Sequence, residues 1–316
     1  ADTLSGFKPF IDVAINTGLN TKNMAGGSIL DDFNNDGHLD LVTSSWDLKQ
    51  GMHYCRNNAN GSFTDISDSS GLSAFTGGLN IQQTDYNNDG LKDIFVLRGA
   101  WMREYGKQPN SLLRNNGNGT FTDVTVQAGL LSFHPTQTAT WADFNNDGWL
   151  DVFIGNETSP GGEPHPCGLY VNNRNGTFTE IAAKAGCNLV YFVKGVTSGD
   201  YNNDGLPDVF ISTLNGNKVL LKNDTKDTTI SFINATREAG LEQHMARTFP
   251  TWFWDFDNDG WLDILVCGYD FERSLAWYAA AEALKKQTGN SGKVFLFRNK
   301  RDGTFVHIPP PAGVGR

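Results

Sequence analysis

The sequence has no long apolar run, little charge and a shortage of basic side chains. No apolar stretch approaches the roughly 18 residues that a membrane-spanning helix needs. Only 19% of the 316 residues are charged, and 25 basic side chains stand against 35 acidic ones, a formal net charge of −10. Nucleic acids and anionic membrane surfaces attract basic proteins. We therefore expect no nucleic-acid partner and no membrane insertion.

What the sequence does contain is a nine-residue motif that occurs five times. It reads DFNNDGHLD from residue 32, DYNNDGLKD from 85, DFNNDGWLD from 143, DYNNDGLPD from 200 and DFDNDGWLD from 255. Successive copies start 53, 58, 57 and 55 residues apart. A fixed period of this length is typical of repeat architectures, so the chain is predicted to be an array of similar units.

Each repeat unit is predicted to form strands. A short apolar run follows each motif, as in residues 94–96, 152–154 and 264–266, and such runs between turn residues indicate buried strands. A second recurring phrase, such as NGTFTDVTVQAGL from residue 118, contains a hairpin turn. About four strands per unit predict an all-β propeller of four-stranded blades, with the nine-residue loops between the first and second strands of each blade.

Five motifs favour five blades over six or seven. We place the repeat units at about 21–72, 73–130, 131–187, 188–241 and 242–314, in a single domain over residues 1–316, with a helix-containing insertion at 270–292. Residues 1–20 resemble the last strand of a blade and are expected to close the ring. The fifth unit already has its own last strand near 305–308, so one strand is surplus. Either a terminus is irregular or the natural ring is larger.

The four cysteines leave their pairing open. Cys167 and Cys187 flank one hairpin, whereas Cys55 and Cys267 lie in the first and fifth units, which are neighbours in a closed ring. A disulfide across either pair and four buried free thiols are both compatible with the sequence.

The nine-residue motif has the composition of a calcium loop. Oxygen-bearing side chains occupy its positions 1, 3, 5 and 9, Gly at position 6 permits a sharp bend, and position 7 offers a backbone carbonyl. The Glu that an EF-hand requires at position 12 is missing. Five Ca²⁺ ions are therefore predicted, with these ligands: Asp32, Asn34, Asp36, His38, Asp40, Asp85, Asn87, Asp89, Leu91, Asp93, Asp143, Asn145, Asp147, Trp149, Asp151, Asp200, Asn202, Asp204, Leu206, Asp208, Asp255, Asp257, Asp259, Trp261 and Asp263.

The five loops and the phrase that follows them resemble the FG-GAP/VCBS repeats of integrin-α-type propellers, in the subgroup similar to cartilage acidic protein. The resemblance implies a calcium-stabilised propeller in an extracellular or periplasmic protein that serves adhesion or ligand binding. Some relatives of this kind are scaffolds for lyases or dehydratases. Asn at position 3 of four loops lowers their charge, so the fifth loop, with Asp257, is expected to bind Ca²⁺ most strongly.

A ligand site is expected on the face opposite the calcium loops. Strands of a blade alternate in direction, so the long connectors after the second strands emerge there, and loops on a rigid scaffold concentrate binding residues. The candidates on that face are Trp46, His53, Trp101, Arg103, Tyr105, His134, His165, His244 and Arg247. We predict a secreted module that binds a glycan or a protein. The alternative is an enzyme of lyase, dehydratase or cyclase type, although no spacing marks a catalytic set.

Overall fold

A computed structural model describes residues 10–20, 25–242, 247–270, 273–284, 286 and 294–308. Its five sheets each contain four antiparallel strands in chain order. The first blade contains β1 (Ala25–Asp31), β2 (Asp40–Ser45), β3 (His53–Asn57) and β4 (Phe63–Asp65). The second contains β5 (Asn80–Thr84), β6 (Asp93–Leu97), β7 (Ser111–Asn115) and β8 (Phe121–Asp123). The third contains β9 (Thr136–Ala142), β10 (Asp151–Asn156), β11 (Gly168–Asn172) and β12 (Phe178–Glu180).

The last two sheets repeat this plan. The fourth blade contains β13 (Val193–Gly199), β14 (Asp208–Thr213), β15 (Lys218–Asn223) and β16 (Phe232–Asn234). The fifth contains β17 (Thr248–Trp254), β18 (Asp263–Gly268), β19 (Val294–Asn299) and β20 (Phe305–Ile308). Every nine-residue motif connects the first strand of a blade to the second, ending on the first residue of the second strand. The prediction of an all-β propeller with five four-stranded blades is confirmed.

The helices of the described residues are short: one precedes the first sheet, one follows it, and one lies between the second and third strands of the fifth sheet. They are α1 (Ala14–Thr17), α2 (Ser67–Ser70) and α3 (Leu275–Ala283), with 3₁₀ turns at Leu72–Ala74 and Arg103–Tyr105. None of the helices in the described ranges is long and apolar enough to cross a membrane. The long insertion of the fifth unit contains α3.

The N-terminal segment differs from the expected ring-closing strand. Within residues 10–20 the chain forms the helical turn α1 and no strand, while residues 1–9 lie outside the described part. The fourth strand of the fifth sheet is β20, which pairs with β19. The fifth blade is therefore completed by its own unit.

The core lies between neighbouring blades. The second strands are the most buried; Ile94, Phe95, Val96 and Leu97 of β6 are all fully inaccessible to solvent. One apolar cluster joins Phe33 of the first blade to Phe121 of the second, and three others likewise join successive blades. The four cysteines are free thiols, and burial raises the pKa of Cys167 and Cys187 to about 12.

Candidate functional site

All five nine-residue loops share one hydrogen-bond pattern, which the third loop illustrates. The two carboxylate oxygens of Asp143, at position 1, accept the backbone N–H groups of Asp147 (2.9 Å) and Gly148 (2.7 Å). Asp147 in turn accepts the N–H of Trp149 at 2.9 Å. Equivalent bonds occur in the other four loops. The backbone thus draws the carboxylates at positions 1 and 5 into one tight turn.

The turn requires a left-handed backbone at position 6. Gly148 has φ +85°, and a Cβ placed on it would meet nothing within 4 Å. Space is therefore available, and only the backbone conformation favours glycine. Asn146, at position 4, also has a positive φ, of 54°, which Asn tolerates better than most residues.

The Asp at position 9 anchors each loop to its blade. Asp151 is fully buried; its Oδ1 accepts the N–H of Asn172 in the third strand at 2.8 Å, and its Oδ2 accepts the N–H of Phe144 at 3.1 Å. The bond from the third strand recurs in every blade. Sequence reasoning had treated this residue only as a metal ligand. Since each carboxylate oxygen has a second lone pair, anchoring and ligation are compatible.

The loops carry oxygen-bearing side chains of the kind that bind hard divalent cations, and in the fifth loop three carboxylate groups lie close together. The Oδ2 atom of Asp93 and the Oδ1 atom of Asn145 are buried without a hydrogen-bond partner. Carboxylate oxygens of Asp255, Asp257 and Asp263 lie within 4.8 Å of one another. Burial, with repulsion from neighbouring carboxylates, raises the pKa of Asp93 to about 7. Oxygen ligands in a negatively charged turn fit Ca²⁺, which the side chains at positions 1, 3, 5 and 9 would hold.

Basic side chains distinguish the loops from one another. Arg298 lies 2.8 Å from Asp257, and Arg301 lies 2.7 Å from Asp259, both in the fifth loop. Arg174 pairs with Asp147 of the third loop at 2.8 Å. In the fifth loop, the extra carboxylate of Asp257 thus pairs with one guanidinium group, and a second guanidinium group pairs with Asp259. The charge advantage of this loop over the other loops is smaller than the sequence alone indicates.

At the opposite end of the blades, connectors from several units surround a cavity of about 930 Å³. The connector between β6 and β7 and the connector between β10 and β11 supply most of its wall, and residues next to β9, β13, β14 and β18 complete it. The lining residues are Trp101, Arg103, Lys107, Pro135, Glu157, Ser159, Pro160, Gly161, Gly162, Glu163, His165, Phe192, Leu214 and Tyr269.

A buried ion pair supports this wall. The Lys194 side chain is fully buried, and its ammonium group contacts Glu157 directly and lies 3.1 Å from the centre of the Trp101 ring. The second carboxylate oxygen of Glu157 accepts the Trp101 backbone N–H at 2.9 Å. Burial lowers the pKa of Lys194 to about 8 and raises the pKa of Glu157. The pair therefore fixes the backbone and the ring of Trp101 together.

The cavity also concentrates aromatic rings and backbone strain. The Trp101 ring stacks on Phe249 with centroids 6.0 Å apart, and its centroid lies 5.8 Å from that of Tyr269. Trp101 and Arg103 have φ angles of 69° and 51°. Among the described residues other than glycine, all further positive φ angles fall in the nine-residue loops or the turns before the fourth strands. Strained backbone of this kind clusters at functional sites.

A histidine pair lies at the edge of the cavity. The Nδ1 atoms of His134 and His165 are 3.0 Å apart, and of the two only His165 lines the cavity. Burial lowers the pKa of both imidazoles, and each also responds to the nearby charges of Lys107 and Glu163. A neutral pair fits this geometry, because one ring nitrogen can donate to the other.

The structure brings together only some of the residues named on the ligand face. Trp101, Arg103 and His165 line the cavity, with His134 behind them. The other candidates lie outside the cavity lining. Trp46 donates to the Ala100 carbonyl, and His53 lies 3.4 Å from Asp65 beside another cavity. Tyr105 is exposed to solvent, and Arg247 is not among the lining residues. His244 is not among the described residues.

Sequence reasoning missed several residues of the site. Lys107, Phe192, Leu214 and Tyr269 belong to the wall, and Lys194 lies behind it. The one sequence feature that could have indicated Lys194 is its charge, because the other residues at the start of β13 are small or apolar. The aromatic run at 249–254 is divided: Phe249 joins the Trp101 cluster, while Trp252 and Trp254 are about half exposed.

The chain is similar to cartilage acidic protein 1 of two vertebrates. It is 26% identical to the Xenopus tropicalis protein over 223 residues, which are 68% of this chain and 32% of that protein. It is 24% identical to the Homo sapiens protein over 239 residues, 73% of this chain and 33% of that protein. The matched region thus spans about a third of these relatives.

Among solved structures, the V. cholerae biofilm matrix protein Bap1 aligns with 95% of this chain and 42% of its own, at 12% identity and a TM-score of 0.48. The Dos1 propeller aligns with 91% of this chain and 60% of its own, at 11% identity and a TM-score of 0.46. The FG-GAP-like repeat family matches residues 32–96, 85–154, 161–211 and 200–266, which include all five nine-residue loops and extend over more than half of the sequence. The chain belongs to the FG-GAP-like repeat family.

Proposed function

We propose that this protein is a secreted, calcium-stabilised module that binds a glycan in the cavity bordered by Trp101 and Arg103. The observation that carries the proposal is the convergence of connectors from successive blades on one concave site of about 930 Å³. Ligand sites for small molecules are concave and combine an apolar lining with a few placed polar groups. A protein ligand is the alternative, and it would need a larger surface than this cavity offers.

The composition of the cavity supports a sugar. Tyr269 and Trp101 contribute aromatic surface, which packs against the apolar faces of sugar rings. Arg103, Lys107 and Glu163 contribute charged groups that donate to or accept from hydroxyl and carboxylate oxygens. The ion pair of Lys194 and Glu157 holds this wall in place without a ligand. The site is thus preorganised, which lowers the entropic cost of binding.

Calcium and secretion are part of the same proposal. The loops have the ligand types and turn geometry for Ca²⁺, and extracellular calcium concentrations suit oxygen-ligand sites of moderate affinity. The name of the relatives, cartilage acidic protein 1, agrees with a protein found outside cells. The acidic excess of ten charges then serves mainly as counter-charge for bound ions.

An Arg103→Ala variant tests the ligand site. Arg103 is exposed in the cavity wall, so its removal should leave the melting temperature unchanged and weaken binding to a soluble oligosaccharide panel by at least about tenfold. Arg237→Ala removes an exposed arginine outside the cavity and serves as the matched control. Equal binding by both variants, or no binding to any oligosaccharide by the native chain in calcium, would contradict the proposal.

One observation favours the enzymatic alternative of lyase, dehydratase or cyclase type. Glu157 reaches the cavity, and burial raises its pKa above the ordinary carboxyl value, as in many general acids. A Glu157→Gln variant keeps the acceptor for Trp101 but cannot transfer a proton. Mass spectrometry of the oligosaccharides after incubation distinguishes the two functions. Products formed by the native chain and not by the variant would indicate catalysis, whereas unchanged ligands that remain bound indicate a binding module.

A further inference from the structure

The four interfaces between successive blades repeat the same aromatic contact. The aromatic residue at position 2 of each loop packs on the phenylalanine that begins the fourth strand of the next blade. The centroid distances are 6.2 Å for Phe33–Phe121, 6.1 Å for Tyr86–Phe178, 5.6 Å for Phe144–Phe232 and 5.6 Å for Tyr201–Phe305. Each blade therefore needs its successor to cover this ring.

Two asparagine bonds accompany every one of these contacts. The asparagine that ends a third strand donates to the carbonyl at position 2 of the preceding loop, over 2.7–2.8 Å, as from Asn172 to Tyr86. The asparagine at position 4 of a loop donates to the glycine carbonyl of the next loop, over 2.8–3.4 Å, as from Asn203 to Gly260.

On the side of the fifth blade that would face a following blade, all of these partners are missing within the described chain. Among the aromatic rings of the described residues, Phe256, at position 2, contacts only Trp254 of its own blade, and it is not buried, unlike its four counterparts. Trp252 and Trp254 are 48% and 47% exposed. The Asn258 side chain donates to no loop glycine among the described residues, although its four counterparts do.

In two other blades, the residue at the strand position equivalent to Trp252 contacts the next blade. Thr140 occupies the same position in β9 and lies 2.7 Å from Ser198 of the fourth blade, hydroxyl to hydroxyl. Gln82 occupies it in β5 and donates to the Ala139 carbonyl of the third blade at 2.6 Å. We call Trp252, Trp254, Phe256 and Asn258 the open face. By position, the open face is half of a blade interface.

The first blade presents the complementary half. Phe63, which begins its fourth strand, is only partly buried, whereas Phe121, Phe178, Phe232 and Phe305 are 5–9% exposed. The Asn57 side chain donates to the Leu39 carbonyl of its own blade and, among the described residues, to no loop of another blade. The first and fifth blades therefore do not form with each other, in the described chain, the contacts that join the other blades.

The N-terminal segment before the first blade shows which kind of structure packs against that blade. A Cβ on Gly18, after α1, would lie 2.8 Å from the Phe63 carbonyl. A Cβ on Gly129 or Gly186, which end the units of the second and third blades, would lie 3.1 Å from the corresponding carbonyl of Phe178 or Phe232. The N-terminal segment thus contacts the first blade as the end of one repeat contacts the next repeat.

We propose that the open face binds a further four-stranded blade of the same repeat type, supplied from outside the five described blades. Its chemistry follows from the four interfaces. The fourth strand of this blade begins with phenylalanine, which covers Phe256, and its third strand ends with asparagine, which donates to the Phe256 carbonyl. A loop glycine accepts from Asn258, and the body of the blade covers Trp252 and Trp254. The proposal does not depend on the glycan site.

Disulfide trapping tests whether the chain closes on itself instead. Asn258→Cys combined with Gly37→Cys places thiols at the two positions that would meet in a closed ring. Asn203→Cys with Gly260→Cys is the matched control, because the same motif positions already lie 3.2 Å apart there, nitrogen to oxygen. We expect an intramolecular disulfide in the control and none in the test pair. A test pair that closes as fast as the control, or that links two molecules, would overturn the proposal in favour of ring closure or a second copy.

A second experiment supplies the missing partner. A copy of residues 73–130, fused after residue 316, carries a phenylalanine and an asparagine at the required positions, Phe121 and Asn115 of the original unit. Acrylamide quenching of Trp252 and Trp254 should fall by about twofold, because both indoles pass from half exposed to buried. The same fusion with Trp252→Thr and Trp254→Ala supplies the fluorescence background.

A fusion whose added unit carries Phe→Ala and Asn→Ala at those two positions is the control, and its quenching should stay at the value of the unfused chain. Unchanged quenching in the intact fusion, with the added strands visible by circular dichroism, would contradict the proposal. If the added unit stays unfolded, acrylamide quenching of Trp252 and Trp254 in the unfused chain, measured in calcium, tests the proposal instead. Quenching at the level of buried indoles would show that the open face is already covered and would refute the proposal.

Discussion

Lys194 is the residue whose removal should most affect the cavity wall. In a Lys194→Met variant the Glu157 carboxylate would remain buried without its cation, at a cost of about 3–5 kcal/mol in the free energy of unfolding. Glu157→Gln in addition should recover part of this loss, because glutamine carries no charge and still accepts the Trp101 N–H. Urea denaturation of the three proteins measures the difference. A double variant no more stable than the single one would refute the ion-pair argument.

The same variant should respond to pH in a defined direction. Burial raises the pKa of Glu157 above the ordinary 4.5, and loss of Lys194 raises it further. Above pH 4.5 the folded state then retains a proton that the unfolded state has released, so stability falls as pH rises through the window between the two pKa values. Urea midpoints at pH 5 and pH 8 measure this fall, with the double variant, which has no carboxyl group at residue 157, as the control. An equal pH dependence in both variants would contradict the assignment.

Gly148 allows the loop conformation to be tested without changing its ligands. A Gly148→Ala variant should lose about 1 kcal/mol of stability, because φ +85° is unfavourable for a residue with a Cβ although no atom obstructs it. Gly148→Asn should lose less, since asparagine tolerates left-handed backbone. Thermal melting in excess calcium compares the three proteins. Equal losses in both variants would point to a steric cause instead.

At the residue scale, the sequence predicts the loops well and the cavity poorly. Asp143, Asp147 and Gly148 are local in sequence, so their spacing alone specifies the turn. Glu157 and Lys194 are 37 residues apart and meet only because two blades pack side by side. Contacts of that kind depend on the packing of blades, which spacing within one unit does not determine.

At the scale of elements, the asparagine that ends each third strand joins one blade to the next. Asn172→Ala would remove a donor from the carbonyls of Tyr86 and Leu150, at 2.7 Å and 3.1 Å, and should cost about 2–3 kcal/mol of stability. Asn57→Ala, the matched variant in the first blade, removes only a bond within the blade and should cost about 1 kcal/mol. Chemical denaturation in calcium measures both. Equal costs would indicate that Asn57 also bridges two blades in solution.

The strands were predictable because each blade repeats the same local signals. Apolar runs such as 94–96 lie in second strands, and the hairpin phrases place the fourth strands. The segment at 10–20 resembles the phrase that elsewhere contains a fourth strand and the turn after it, but this segment forms only the helical turn α1. Sequence similarity to the end of a blade did not establish which blade, if any, the segment completes.

At the scale of the whole molecule, calcium should determine stability. The apo-protein has a formal charge of −10, which five bound Ca²⁺ ions would neutralise. Removing calcium with EDTA should lower the melting temperature sharply, because each site filled at a hundredfold its Kd contributes about 2.7 kcal/mol. Differential scanning calorimetry across a calcium titration measures the effect, with Mg²⁺ as the control cation. A melting temperature unaffected by EDTA would remove the basis for calcium stabilisation.

The effect of added salt with and without calcium measures how much of the calcium stabilisation comes from neutralising repulsion among the loop carboxylates. Without calcium, the loop carboxylates repel one another over distances near the Debye length of about 8–10 Å, so added NaCl should raise the melting temperature of the apo-protein. With calcium bound, the loop charges are neutralised and the same salt should have little effect. Raised stability of both forms by equal amounts would instead indicate a general effect of salt on apolar burial. The difference between the two salt responses therefore reports how much of the acidic excess lies in the calcium loops.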